Sequence, residues 1–121
     1  MKKKLLTLSL TIGILSAHSA MACTTGQQGI GYTNASTGTA TVTITAQNTS
    51  QNIYSNVTVN GQNSYYEFCW TSTSDTYKIS QTISGSSSYI NFTSQDFVNS
   101  DYFINVSSNQ TSPSSWTAML A

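Results

Sequence analysis

Ile53-Tyr54-Ser55-Asn56-Val57-Thr58-Val59-Asn60-Gly61-Gln62-Asn63-Ser64-Tyr65-Tyr66-Glu67-Phe68-Cys69-Trp70-Thr71 is the stretch on which the fold turns. Both halves are rich in β-branched and aromatic residues, which suit a pleated, half-buried surface. In the second half Tyr66, Phe68 and Trp70 alternate with Tyr65, Glu67, Cys69 and Thr71. A period of two sends one set to a core and the other outward. Asn60-Gly61 divides the halves, and both residues tolerate the positive φ of a tight hairpin turn. The stretch therefore reads as two strands, 53–59 and 64–71, joined as a hairpin.

The same alternation continues on either side. Ala40, Val42, Ile44 and Ala46 alternate with Thr41, Thr43 and Thr45; Tyr77, Ile79 and Ile83 share a face opposite Lys78, Ser80 and Thr82; Ile104 and Val106 alternate with Asn105 and Ser107. Turn signals fall at Thr37-Gly38, Asn48-Thr49-Ser50, Ser74-Asp75, Ser84-Gly85-Ser86, Asn99-Ser100 and Ser112-Pro113. Further strands are expected at 28–33, 39–47, 76–83, 88–93, 101–107 and 115–120. From residue 23 onward there is one Leu, one Met and five Ala, and no helical period. The expected fold is all-β: a single antiparallel β-sandwich of immunoglobulin-like type, with seven to eight short strands and one disulfide. A small closed barrel is the alternative.

The start of the chain reads differently. Met1-Lys2-Lys3-Lys4 is followed by a mostly apolar run from Leu5 to Leu15, and Ala20-Met21-Ala22 supplies small residues at a cleavage position. These are the three parts of a secretory signal, so residues 1–22 are expected to be removed and residues 23–121 to form one domain. The expected location is extracytoplasmic, secreted or periplasmic. Lipid anchoring at Cys23 is the alternative, since a lipoprotein carries its modified cysteine in that place. The apolar run spans about half of a ~30 Å hydrocarbon core, and no second run follows, so no transmembrane segment is expected.

Composition narrows the function. Residues 23–121 hold 53 Ser, Thr, Asn and Gln among 99 residues, and all 13 aromatics of the chain. Only Glu67, Asp75, Lys78, Asp96 and Asp101 are charged, a net charge of −3. One lysine cannot neutralise a row of phosphates, which excludes nucleic acid as a partner. Cys23 and Cys69 are the only cysteines, 46 positions apart, and in an oxidising compartment they form one disulfide.

No catalytic set is legible. The 18 serines after residue 22 have no histidine to activate them, because His18 belongs to the export segment. The four carboxylates read as solvated groups, no metal set is expected, and no cofactor is implied. Asp96, Asn99 and Asp101 cluster like a fragment of a calcium loop, but read better as a turn capping its own backbone. The aromatics carry the functional expectation. Alternation places Tyr54, Tyr65, Tyr89 and Phe103 outside, while Tyr66, Phe68, Trp70, Phe92, Ile104 and Trp116 fill the core. Exposed rings on a neutral face of amides and hydroxyls suit a carbohydrate or cell-surface ligand. The expected function is a non-enzymatic binding module for neutral glycans or another uncharged surface. The alternative is a structural or adhesive, pilus-like surface subunit that self-associates.

Overall fold

The computed structural model describes residues 23–108 and, as backbone, 116–119. The expected export segment 1–22 and the side chain of Trp116 lie outside the described residues. Among those described, eight strands and one short helix follow in order: β1 (Gln27–Asn34), β2 (Ala40–Ala46), β3 (Gln51–Val59), β4 (Ser64–Thr71), β5 (Tyr77–Ile83), β6 (Ser86–Phe92), α1 (Ser94–Asn99), β7 (Phe103–Ser108) and β8 (Trp116–Met119). They form two four-stranded sheets, ordered β4-β1-β7-β8 and β3-β2-β5-β6.

The inward positions of both sheets interdigitate. Ile30, Tyr32, Phe68, Trp70, Ile104 and Val106 come from the first sheet. Val42, Ile44, Val59, Tyr77, Ile79, Ile83 and Phe92 come from the second. Each such side chain contributes about 1.5–3 kcal/mol when fully buried. Phe97 of α1 closes one end, edge-on to Trp70, Tyr77 and Phe92 at centroid distances of 5.8, 5.6 and 6.1 Å. Two facing sheets, not a closed barrel, result.

Three expectations are corrected. First, the sandwich is not wholly antiparallel: β1 pairs with β7 in parallel, Gly29 opposite Phe103 through Asn34 opposite Ser108. Parallel neighbours need a long crossover, and the five strands and the helix between β1 and β7 in sequence supply it.

Second, Asn60-Gly61 is not a hairpin turn. β3 and β4 belong to different sheets, and the segment crosses between them. The positive φ values sit two residues later, at Gln62 and Asn63. Gly61 serves close approach instead: a Cβ there would lie 2.6 Å from the Gly38 carbonyl oxygen and 2.7 Å from that of Ser36. The backbone N–H of Gln62 donates to Ser36 O, and buried Asn34 donates to the carbonyls of Gly38 and Val59, locking the two crossings together. The tight hairpin is Ser84-Gly85 between β5 and β6, with both residues at positive φ.

Third, a helix interrupts the region read as loop and strand. Thr93 and Asp96 form a reciprocal capping box, each side chain accepting the other's backbone N–H. Beyond Ser100, the N–H of Asp101 reaches Val98 O and that of Tyr102 reaches Phe97 O, the paired bonds of a Schellman ending. Asp96 and Asp101 are thus parts of the two caps of α1. Asn99 accepts from Gln95 within the helix.

The expected Cys23–Cys69 disulfide is present, with 5.7 Å between Cα atoms. It ties the segment before β1 to neighbouring β4 within one sheet. No helix of the described residues is long and apolar enough to cross a membrane.

Candidate functional site

The outer face of the β4-β1-β7 sheet is a grid set by register. Tyr65, Thr33 and Ser107 form one row; Glu67, Gly31 and Asn105 the next; Cys69, Gly29 and Phe103 the third. The middle strand contributes glycine to two rows, so nothing stands up from its centre and the neighbours lie down over it. A Cβ on Gly31 would sit 2.3 Å from the Tyr65 hydroxyl oxygen, 2.8 Å from Asn105 Oδ1 and 2.9 Å from Phe103 Cε2. One on Gly29 would meet the Phe68 carbonyl oxygen at 2.4 Å, Cys23 Sγ at 2.5 Å and Phe103 Cδ1 at 3.3 Å. The Phe103 ring therefore spans both glycines, and the hydroxyl end of Tyr65 comes to rest on Gly31 beside it.

Glu67 supplies the only charge in this grid. The Tyr65 hydroxyl donates to Glu67 Oε2 at 3.1 Å. Burial, then the Glu67 charge and this hydrogen bond, push the Tyr65 phenol well above its ordinary range. Tyr65 is accordingly a fixed, protonated ring with its polar end anchored.

A cleft of about 370 Å³ adjoins Phe103, lined by Cys23, Thr24, Gly26, Asp101 and Tyr102 among others. Tyr102 is 45% exposed and held at φ 68° by the ending of α1. A bulky residue with positive φ is an outlier that its surroundings must impose. Sequence reasoning missed Tyr102; the capping box Thr93-Ser94-Gln95-Asp96 was the signal that would have placed a helix end before it.

Of the four aromatics expected outside, two come together here, Tyr65 and Phe103. Tyr89 lies on the outer face of the other sheet, 61% exposed, with the Lys78 ammonium 5.4 Å from its ring centre. Tyr54 is corrected: it points into the seam between the sheets, edge-on to Phe68 at 5.0 Å. Its hydroxyl donates to the Cys69 carbonyl at 2.7 Å and accepts from the Cys69 N–H at 3.3 Å. The reason is the register shift between Val42 and Ile44, where Val42 faces Val57 but Ile44 faces Tyr54; a second shift, beyond Tyr54, sets Thr45 opposite Asn52. Each extra residue reverses the alternation. Tyr66 is corrected in the other direction. It packs on Phe68 at 4.5 Å but remains 39% exposed, because β4 is an edge strand with no neighbour beyond it among the described residues.

A second cleft, about 480 Å³, opens between the β2–β3 and β4–β5 connections and is lined by Asn48, Gln51, Asn52, Ile53, Trp70 and Asp75, among others. Asp75 Oδ1 accepts from the backbone N–H groups of Asn48 and Thr76, which joins the two connections. Trp70 is almost wholly buried, so this cleft offers no ring face. Compared with known protein families, with curated proteins and with solved structures, the chain matches none.

Proposed function

We propose that this chain is a secreted, non-enzymatic binding module that takes a neutral glycan, or another uncharged surface, on the outer β4-β1-β7 face. The observation that carries this reading is the placement of Tyr65 and Phe103 against Gly31. Rings laid along a sheet can present their faces to the flat side of a sugar ring. Thr33, Asn105 and Glu67 stand beside them to bond hydroxyl groups, and Tyr102 borders the adjoining cleft.

Export of residues 23–121 is part of the same proposal. A disulfide that persists in oxidising compartments supports it. The immunoglobulin-like type is likewise proposed, with two stacked four-stranded sheets in its favour. The parallel β1–β7 pair and a disulfide within one sheet are departures from the simplest form of that plan. The alternative, a structural or adhesive surface subunit, draws on the exposed β6 edge.

The test is a glycan array probed with the disulfide-bonded protein and with Tyr65→Ala. Binding to neutral glycans that falls by about 1–3 kcal/mol in the variant, an amount taken from aromatic stacking on planar rings, supports the proposal. Binding should also be almost independent of salt, because few ions are released when one lysine and four carboxylates are involved. Failure of the wild-type protein to bind any glycan removes the carbohydrate reading.

A further inference from the structure

Strand edges expose unpaired N–H and C=O groups, and proteins usually blunt them. Two edges of this sandwich are blunted. β3 carries two register shifts and Asn56 at φ 52°, which break its row of backbone groups. On β4 the hydroxyl of Tyr54 occupies both the N–H and the carbonyl of Cys69.

β6 shows neither device. Its seven residues, Ser86-Ser87-Ser88-Tyr89-Ile90-Asn91-Phe92, pair with β5 without a register shift. They include no charge and no proline, and among the described residues no strand lies on the other side of β6. Tyr89, the central residue of the seven, is the most exposed of the large hydrophobic side chains described.

We infer that β6 pairs with β6 of a second copy of this chain, antiparallel about a two-fold axis through Tyr89. The strand is its own complement in that register. Ser86 faces Phe92, Ser87 faces Asn91, Ser88 faces Ile90, and the two Tyr89 rings meet on the outer side. All seven positions are used, which no other two-fold register of this strand achieves. An isologous pair of this kind closes at two copies and joins the two β3-β2-β5-β6 sheets into one of eight strands. The absence of charge along the edge means that no like charges meet, and Lys78 already engages the Tyr89 ring of its own chain. A single strand pair buries less than the ~1,200–2,000 Å² of a standard interface, so the dimer is weak, with Kd on the order of 10–100 µM.

Light scattering after size exclusion, from about 5 to about 500 µM protein, tests this. The wild-type mass should rise from monomer to dimer across that range, and β6 amides should gain protection from hydrogen exchange as it does. Tyr89→Lys, with a charge on the edge, should stay monomeric. Thr58→Lys, on the blunted β3, should dimerise as wild type. Tyr65→Ala should also dimerise normally, which separates this inference from the proposed ligand face. If circular dichroism shows that Tyr89→Lys is misfolded, Ser87→Lys serves in its place. A wild-type protein that is monomeric throughout overturns the inference. So does an edge-lysine variant that dimerises unchanged, or assembly that continues beyond two copies.

Discussion

The hydroxyl of Tyr32, on β1, donates to the side-chain oxygen of Gln81, on β5, and so bridges the two sheets through the core. Both residues are buried, and Gln81 also donates to Ser88 Oγ at 3.2 Å. Tyr32→Phe removes the donor and leaves the glutamine oxygen buried without it. Urea denaturation should show a loss of about 1–3 kcal/mol. Tyr32→Phe combined with Gln81→Leu should recover part of that loss, because neither side of the pair is then left polar.

The same tyrosine sets an alkaline limit. Burial pushes the Tyr32 phenol up to about 12, partly offset by a hydrogen bond with Ser108. In the unfolded chain a tyrosine titrates near 10. Below that value both states are protonated and stability does not depend on this group. Between about pH 10 and about pH 12 the unfolded state loses its proton first, and stability falls by about 2–3 kcal/mol from Tyr32 alone. Tyr65, raised in the same direction, adds to the fall. Denaturation midpoints measured from pH 7 to 12 should be level and then drop; a level curve to pH 12 contradicts the assignment.

Gly29 and Gly31 should respond differently to alanine. At Gly29 the new methyl meets a backbone carbonyl and the disulfide sulfur, neither of which can turn aside. Overpacking there should cost about 1–3 kcal/mol. At Gly31 it meets the Tyr65 hydroxyl, the Asn105 amide and the Phe103 ring, all side-chain groups that can shift. Gly31→Ala should keep most of its thermal stability and lose the proposed glycan binding, because the rings no longer lie on the sheet.

The disulfide closes a loop of 46 residues. In the chain-entropy view such a loop is worth about 4 kcal/mol. Cys69→Ala should lower stability by about 2–5 kcal/mol in a thermal melt, and an unchanged melting temperature would show that the bond contributes nothing.

Much of this architecture was legible in the sequence. The alternation in Ala40–Ala46 and Tyr77–Ile83 matches the buried pattern of β2 and β5, because both are central strands that pair with each other without a shift. The two cysteines had no other partner. Alternation failed at Tyr54, where one extra residue in β3 between Val57 and Tyr54 reverses the face, and a bulge leaves no mark on composition. It also failed to foresee that Asn60-Gly61 crosses between sheets: the need for glycine came from the distant Ser36–Gly38 backbone, not from local φ. Of the candidate site, Tyr65 and Phe103 were named from alternation alone. That they share one face depends on the parallel β1–β7 pairing, which joins residues more than 70 positions apart and has no local signature.

That pairing also orders the making of the molecule. β1 lies between β4 and β7, so its inner position cannot be completed until nearly the whole domain has been delivered. The β2–β3 and β5–β6 pairs are close in sequence and can form early. The first of the described strands therefore waits longest for its last neighbour. Folds dominated by such distant contacts mature in about milliseconds to seconds, not microseconds. For that interval the flank of β1 that will meet β7 stays open, and this is when the unfinished chain is most vulnerable to pairing with the wrong strand.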